Sequence, residues 1–283
     1  MVKKLSLEDT HMIQQLSKIP APAIAGVVRE RTVRAAIAEI QNCGYNGAEM
    51  IDLHLSCLDD PSEECIRTIA TASRLPILAL NYNKTYSWEE ANLSEEERVD
   101  SLLRAVKCGC AGIDMQGYTF DLPSKSGFVG EDKYSFTKGN PREIVTDSAI
   151  IDKQCALIEE VHSLGGEVLL SCHPSIVMGS DAVVELALFL EKRKPDIIKI
   201  VTQAKCEEDL LDAIRAMMIL KREVKIPISY HTSGKFGMLS RVINPALGGQ
   251  IAFCVDHYNE GSTMEQIDVR TAKAVIDGLQ RIM

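Results

Sequence analysis

The 283-residue chain has few aromatic side chains and no excess of basic residues. Aromatic residues make up 5% of it, and 31 Lys and Arg residues stand against 40 Asp and Glu residues, which gives a formal net charge of −9. Nucleic-acid binding proteins depend on cationic contacts to phosphates, so this acidic balance argues against that class. The apolar content of 46% also excludes a disordered chain, which has too little apolar surface to bury.

Long apolar runs and organised cysteine motifs are missing as well. No stretch approaches the roughly 20 residues that a membrane-spanning helix needs. The first residues, MVKKLSLEDTHMIQQL, carry charges and lack the apolar segment of a signal peptide. The nine cysteines are odd in number and match no zinc spacing, so we expect reduced thiols and a cytoplasmic protein.

No G-x-G-x-x-G or Walker motif follows any apolar run, so the sequence lacks a phosphate-binding loop. What it contains is a regular alternation of short apolar runs and helical patterns. The runs predict eight strands, at residues 22–28, 48–55, 76–82, 111–116, 167–173, 196–202, 226–231 and 250–255. Helices are expected between them, one opening with a capping box of Ser94 and Glu97 and others at 147–164, 207–220 and 264–282.

This alternation predicts the α/β fold class and a single (β/α)8 TIM barrel over residues 1–283. A doubly wound open sheet is the alternative, but it usually carries the missing phosphate loop. Residues 117–146 are polar and rich in Gly and Pro. They predict a long excursion after the fourth strand, at the catalytic face of the barrel.

A lysine interrupts the sixth apolar run, DIIKIV at residues 196–201. Strand alternation puts Lys199 on the face that points into the barrel. Burial there disfavours the ammonium form, so we expect a lowered pKa and an amine that can form a Schiff base with a ketone or aldehyde. The alternatives are a lysine that is salt-bridged to a barrel carboxylate and a strand with a different register.

Two further polar residues lie at the ends of neighbouring strands. His173 ends the fifth run, EVLLSCH, and adjacent strands lie roughly 4.8 Å apart, so it can act with Lys199 on one small substrate as general acid and base. Arg241 follows the seventh run, and its guanidinium can bind a carboxylate through two hydrogen bonds. The alternatives are a structural histidine and a surface arginine at the start of a helix.

Three segments together resemble the type I 3-dehydroquinate dehydratases, which form a Schiff base with their substrate. SCHPS is similar to the Ser-x-His stretch of that family, DIIKIV to its Asp-x-x-Lys-Ile, and GKFGMLSR to its Gly-x-x-Ser-Arg. The resemblance places the catalytic histidine on His173, the imine lysine on Lys199 and the carboxylate-binding arginine on Arg241. It also places Ser262 and Gln266, in GSTMEQI, in the loop that closes over the substrate.

Other positions depart from the family pattern. The family has Glu-x-Arg at the end of the second strand, where it handles substrate hydroxyls, and this chain has Asp52 and His54. Tyr82 and Tyr86 fall where the third strand of the family carries an arginine and a glutamate, and the fourth-strand Asp-x-Glu has become Asp114-Met115-Gln116. The resemblance therefore implies that the chemistry is retained while the substrate-binding residues are altered. The candidates in this altered set are Asp52, His54, Tyr82 and Gln116.

The resemblance implies a hydro-lyase that converts 3-dehydroquinate to 3-dehydroshikimate, in the shikimate or quinate pathway. It further implies a small keto-carboxylate substrate and a homodimer, with no cofactor, no metal and neither nucleic acid nor membrane as a partner. Three alternatives stay open: a Schiff-base lyase or aldolase for another keto acid or sugar derivative, a metal-dependent hydrolase or isomerase, and an inactive binding protein. The metal-dependent alternative would use N and O ligands at strand ends, namely Asp52, His54, Asp114, His173, His231 and Asp256.

Overall fold

The computed structural model describes residues 15–82, 93–121, 144–174, 176–259, 262 and 264–283. Eight parallel strands in these ranges form one sheet, in the order β7-β6-β5-β4-β3-β2-β1-β8. The strands are β1 (Ala23–Val28), β2 (Met50–His54), β3 (Ile77–Leu80), β4 (Gly112–Gln116), β5 (Glu167–Cys172), β6 (Ile197–Gln203), β7 (Ile228–Ser233) and β8 (Ile251–Cys254). Six of them lie within the predicted strands, while β6 and β7 overlap theirs but end one and two residues later, at Gln203 and Ser233.

A helix follows every strand. The helices are α1 (Val33–Asn46), α2 (Glu63–Ala72), α3 (Glu95–Lys107), α4 (Ser148–Ser163), α5 (Ser180–Glu191), α6 (Glu207–Glu223), α7 (Ser240–Ala246) and α8 (Val269–Gln280). The expected capping box opens α3, where Ser94 N donates to Glu97 Oε2 at 2.8 Å and Glu97 N donates to Ser94 Oγ at 3.2 Å. No helix of the described part of the chain is long and apolar enough to span a membrane.

The first and last strands of the sheet order come together, so the sheet is a nearly closed barrel. Gln250 N donates to Ile228 O at 2.8 Å, and Ser229 Oγ donates to Ile251 O at 2.8 Å. The predicted TIM barrel is confirmed. A doubly wound sheet is excluded, because its strand order would reverse at a switch point whereas here each strand lies beside its neighbours in sequence.

The barrel interior has an apolar layer and, beyond it, a polar layer. Met50, Leu169 and Ile197 point inward within an apolar cluster that also contains Leu16 and Phe253. The inward residue two positions later on each of these strands is polar, and the same holds on β4. These residues are Asp52, Asp114, Ser171 and Lys199, and all are buried. Because side chains alternate between the inner and outer faces of each strand, four polar side chains point inward near the carboxyl end of the barrel.

One helix boundary differs from the prediction in a way that bears on the site. The helix expected from residue 264 begins at Val269, because Asp268 caps it by accepting a hydrogen bond from Thr271 N at 3.0 Å. Glu265 and Gln266 therefore belong to the loop after β8, on the catalytic side of the barrel.

Most of the predicted excursion at 117–146 lies outside the described residues, but both of its ends are anchored. Gln154 on α4 donates through Nε2 to Gly117 O and Thr119 O, each at 2.9 Å. Arg193 donates to Gln154 Oε1 and to Val145 O, each at 2.8 Å. One buried pair of side chains thus holds the start and the end of the segment. The assignment of residues 1–283 to one domain stays a prediction.

Candidate active site

Lys199 lies inside the barrel with 6% of its surface exposed. Its Nζ is 3.4 Å from Asp114 Oδ2, 3.4 Å from the hydroxyl of Tyr82 and 4.3 Å from the centroid of the Phe253 ring. The predicted register is right, since Ile198 and Ile200 pack toward the helices. The ion pair with Asp114 was one of the alternatives for this lysine, and it coexists with an inward-facing amine at the catalytic end.

Asp114 is fully buried and its carboxylate is held from three sides. Ser171 Oγ donates to Oδ1 at 2.5 Å, while Tyr82 OH and Lys199 Nζ both lie 3.4 Å from Oδ2. Because β4, β5 and β6 are hydrogen-bonded neighbours in which Ser171 pairs with Lys199, the contacts of Ser171 and Lys199 follow from the strand register, while Tyr82 reaches Asp114 from just beyond β3. The carboxylate therefore has a fixed position beside the amine.

Tyr82 connects Lys199 with His173. Its hydroxyl lies near the amine, and its ring packs edge-on against the His173 imidazole with ring centroids 5.9 Å apart. His173 directly follows β5, one inward position beyond Ser171, which is the register partner of Lys199. The structure thus brings the two predicted catalytic side chains to one side of the barrel mouth, and their roles stay predictions.

Asp52 and His54 lie on the opposite side of Tyr82, together with an arginine. His54 Nε2 is 3.8 Å from Asp52 Oδ2 and accepts a hydrogen bond from Arg29 Nε at 3.4 Å, and the His54 and Tyr82 rings are 6.0 Å apart. Burial lowers the pKa of His54 against the opposing effect of Asp52. Asp52 Oδ1 is buried without a hydrogen-bond partner among the described residues, which leaves an open acceptor at the site.

Arg241 lies in the first turn of α7. Its Nη1 is 3.2 Å from His231 Nε2, and its Nη2 donates to Glu265 Oε2 at 3.1 Å. Burial lowers the pKa of Arg241, opposed by the charge of Glu265. Burial, followed by the charges of Arg241 and Lys199, holds the pKa of His231 well below its ordinary value. The His231 ring lies 6.5 Å from Phe253, and the Phe253 ring contacts Lys199, so Arg241 lies at the same barrel mouth as Lys199.

Gln266 and Ser262, the two loop residues that the family resemblance assigns to substrate binding, make different contacts. Gln266 is buried, and its Oε1 has no hydrogen-bond partner within the described ranges. Tyr258 OH fixes the backbone here by donating to Gln266 O at 2.7 Å. Ser262 exchanges hydrogen bonds with Asn259, at 3.0 Å and 3.1 Å. Ser262 therefore stabilises the turn that it forms with Asn259. Oε1 of Gln266 remains available to accept a hydrogen bond, as far as the described residues show.

Gln116 is buried but its carbonyl oxygen is already occupied. Arg98 Nη1 donates to it at 2.8 Å and Tyr118 OH at 2.9 Å. Arg98 is itself buried and paired with Glu95 at 2.7 Å. Only Nε2 of Gln116 lacks a partner among the described residues. The structure thus leaves Gln116 a donor rather than an acceptor. Tyr86 lies outside the described residues.

The six ligands of the metal-dependent alternative are not brought together as a set. Asp256 accepts from Asn46 Nδ2 at 2.5 Å and lies 4.0 Å from His257, on the far side of β8 from Lys199. Within the part of the chain that the structure describes, one group of three side chains has ligand spacing, Glu30, Glu39 and His257, and none of them belongs to the predicted set. The geometry gives the metal-dependent alternative no support.

Sequence reasoning missed two charged side chains of this site. Arg29 directly follows β1, so the rule that barrel sites lie at the carboxyl ends of strands was a signal that could have found it. Glu265 offered no such signal, because its contact with Arg241 spans 24 positions of sequence and depends on how the last loop folds.

Comparison with known proteins bears out the resemblance seen in the sequence. Residues 145–282 match the family model for type I 3-dehydroquinase. A 3-dehydroquinate dehydratase of Staphylococcus epidermidis is 27% identical over 172 residues, which are 56% of this chain and 70% of that protein. One from Aromatoleum aromaticum is 25% identical over 101 residues, which are 36% of this chain but only 38% of that protein.

The fold of this chain is also that of solved 3-dehydroquinate dehydratases. The crystal structure of the one from Geobacillus kaustophilus HTA426 superposes with a TM-score of 0.75, covering 95% of this chain and 96% of that chain at 15% sequence identity. At that identity the likeness shows the shared barrel alone. The predicted family resemblance is confirmed by these sequence matches, and the residues matched by the family model include His173, Lys199 and Arg241.

Proposed function

We propose that this chain, which resembles the type I 3-dehydroquinase family over residues 145–282, is a hydro-lyase that dehydrates 3-dehydroquinate through an imine on Lys199. One observation carries this proposal above all. The buried Nζ of Lys199 lies 3.4 Å from the Tyr82 hydroxyl, and the Tyr82 ring packs against His173. A nucleophilic amine and a proton-transfer group are thereby available to one small ketone.

In the first step the amine of Lys199 attacks the substrate ketone and water leaves, which forms an iminium. The ammonium first gives a proton to Asp114, whose Oδ2 lies 3.4 Å from Nζ, and Asp114 passes that proton to the hydroxyl group that leaves as water. The Asp114 carboxylate then faces the positive nitrogen of the iminium. A fixed charge aimed at a developing charge in a buried site stabilises it strongly.

In the second step His173 removes a proton from the carbon beside the iminium, and the electron pair is held as an enamine. The enamine expels the hydroxyl group at the next carbon, and His173 returns its proton to that group, so that water leaves. Hydrolysis of the imine then frees the product and restores the amine of Lys199.

The remaining candidates would bind the rest of the substrate. Arg241 is positioned for the carboxylate, assisted by the loop residues Gln266 and Ser262. Asp52 and His54 lie on the other side of the barrel mouth and are suited to hydroxyl groups, since Asp52 Oδ1 is a buried acceptor that lacks a partner within the described ranges.

Borohydride reduction tests this function directly. Incubation with 3-dehydroquinate and borohydride should add the mass of one reduced ligand to the intact protein, and peptide mapping should locate it on Lys199. Lys199→Ala should form no adduct and show no turnover. Lys235→Ala, which removes an exposed lysine from the loop between β7 and α7, should behave as wild type. Turnover without any adduct on Lys199 would rule the imine out.

A second candidate keeps the imine chemistry but changes the substrate to another keto acid. The specific observation in its favour is the Asp52–His54–Arg29 cluster, which stands where the family uses Glu-x-Arg. Comparing kcat/KM for 3-dehydroquinate with that for other cyclic and linear keto acids separates the two. A value for another keto acid that exceeds the value for 3-dehydroquinate would favour this second candidate.

Homodimer formation and a place in the shikimate or quinate pathway are proposed from the family resemblance alone, and a cytoplasmic location from the cysteine pattern. Light scattering coupled to gel filtration measures dimer formation, and cell fractionation the location. Growth of a deletion strain without aromatic amino acids, compared with its growth on quinate, separates a biosynthetic role from a catabolic one.

A further inference from the structure

Glu265 forms an ion pair with Arg241, whose guanidinium is expected to bind the substrate. Its Oε2 accepts from Arg241 Nη2 at 3.1 Å, and its Oε1 accepts from Gly234 N at 2.7 Å. Both donors lie in the segment between β7 and the first turn of α7. A carboxylate of the chain itself therefore uses the donors that a carboxylate ligand would use.

We propose that Glu265 is a specificity-determining residue that competes with the carboxylate of the substrate for Arg241. The inference rests on the proposed function in so far as the substrate carries a carboxylate. In the free protein the side chain of Glu265 satisfies Arg241 Nη2 and Gly234 N. A ligand carboxylate takes its place, and Glu265 turns to solvent, where 31% of its side chain is already exposed.

The second nitrogen on the same edge of Arg241 supports this competition. Nε of Arg241 is buried and has no hydrogen-bond partner among the described residues. A carboxylate binds an arginine most strongly when its two oxygens take two nitrogens in parallel. Glu265 supplies only one oxygen and leaves Nε unsatisfied, which is costly for a buried donor. A ligand that engages Nε and Nη2 together would relieve this cost, so Arg241 favours the ligand over Glu265.

The third nitrogen of Arg241 is held independently of Glu265. Nη1 lies 3.2 Å from Nε2 of His231, an inward-facing residue of β7. The guanidinium is thus kept in place when Glu265 leaves, and its other edge is free to exchange partners. The exchange adjusts affinity for carboxylates without moving the barrel, because Glu265 lies in a loop and not in α8.

Calorimetric binding of quinate tests the inference without any need for turnover, since quinate is a cyclohexane carboxylate that lacks the ketone. Glu265→Gln should bind quinate roughly two- to fivefold more tightly than wild type, the effect expected when a partly exposed ion pair no longer has to be broken. Glu265→Ala should do the same. Glu159→Gln, which removes a carboxylate from the exposed face of α4, changes the net charge equally and should leave affinity unchanged.

A double-variant comparison shows whether the effect passes through Arg241. In an Arg241→Ala background the further change Glu265→Ala should alter quinate affinity little, because no guanidinium remains to compete for. Equal or weaker binding by both Glu265 variants, or no binding by any of the proteins, would overturn the inference. Tighter quinate binding by a protein that does not dehydrate 3-dehydroquinate would keep it while refuting the proposed function.

Discussion

The Nζ of Lys199 lies 3.4 Å from the Oδ2 of Asp114 in the interior of the barrel, and the Asp114 side chain is wholly shielded from solvent. Ser171 and Tyr82 hold the carboxylate in place from the neighbouring strands. The pair thus serves two purposes. It compensates a buried charge in the resting protein, and it sets a carboxylate where the iminium nitrogen would form.

Lys199→Met is expected to lower the free energy of unfolding by about 3 kcal/mol, because it leaves the Asp114 carboxylate buried without its counter-charge. Combining it with Asp114→Asn should recover at least half of that loss, since no charge then remains unpaired. Urea denaturation at pH 7 measures both. Equal losses in the single and the double variant would mean that the two residues are not energetically coupled.

His173→Ala should form the imine but eliminate water slowly. Loss of a general acid and base typically lowers the rate by about 10²- to 10⁴-fold, while attack by Lys199 does not require the imidazole. Borohydride trapping should therefore capture the adduct of substrate rather than of product, and the two differ by the mass of one water. His162→Ala, a change at a histidine on α4 that pairs with Asp196, is the matched control. Unchanged kcat in His173→Ala would contradict the assignment.

The sequence was sufficient to predict the strands and the side chains that point inward from them. Alternation along DIIKIV is a local property, so the inward position of Lys199 and its approach to β5 followed from strand order alone. The same reasoning put His173 at the end of the neighbouring strand, whereas the position of Asp114 beside the amine came only from the structure. Only the kind of partner was foreseeable, because a buried amine needs a carboxylate.

The loop contacts could not be predicted in this way. Arg241 and Glu265 belong to different βα units, and their pairing depends on the path of the loop after β8. The helix signal after residue 264 was also misread, because Asp268 rather than an earlier residue provides the cap. Backbone at loop ends is set by such individual hydrogen bonds, whereas strands and helices repeat a pattern that the sequence displays.

The stability of the protein should fall as the pH drops below about 6.5. Burial holds the pKa of His231 well below its ordinary value of 6.5, and it lowers that of His54 as well. Below pH 6.5 the unfolded chain therefore binds protons that the folded chain does not. Each such histidine contributes a slope of up to about 1.4 kcal/mol per pH unit to the free energy of unfolding.

His231→Gln should remove part of this slope, since glutamine does not titrate. Urea denaturation at pH 7.0, 6.0 and 5.5 measures it, and His162→Gln serves as the control at an exposed site. A slope between pH 7.0 and 5.5 that is the same in His231→Gln and in wild type would show that His231 is protonated in the folded protein too.

Arg29 is expected to matter for substrate binding although it lies outside the segments that resemble the family. Its Nε donates to His54 Nε2 at 3.4 Å. This hydrogen bond fixes the orientation of the His54 ring, which packs beside Tyr82. Arg29 also brings a positive charge to the cluster in which Asp52 Oδ1 lacks a partner among the described residues. Replacing Arg29 by Leu removes the donor, so His54 loses its fixed orientation.

Arg29→Leu should raise KM for the substrate roughly tenfold, which corresponds to about 1.4 kcal/mol of binding free energy. The effect on kcat should be smaller, because Arg29 and Lys199 lie on opposite sides of the barrel mouth. Arg31→Leu is the control, since the Arg31 side chain is 68% exposed and pairs with Asp59 at the surface. Steady-state kinetics on both variants decides the matter. If the two variants keep the same KM, the Asp52–His54–Arg29 cluster does not contact the substrate, and the hydroxyl groups must be bound elsewhere in the barrel mouth.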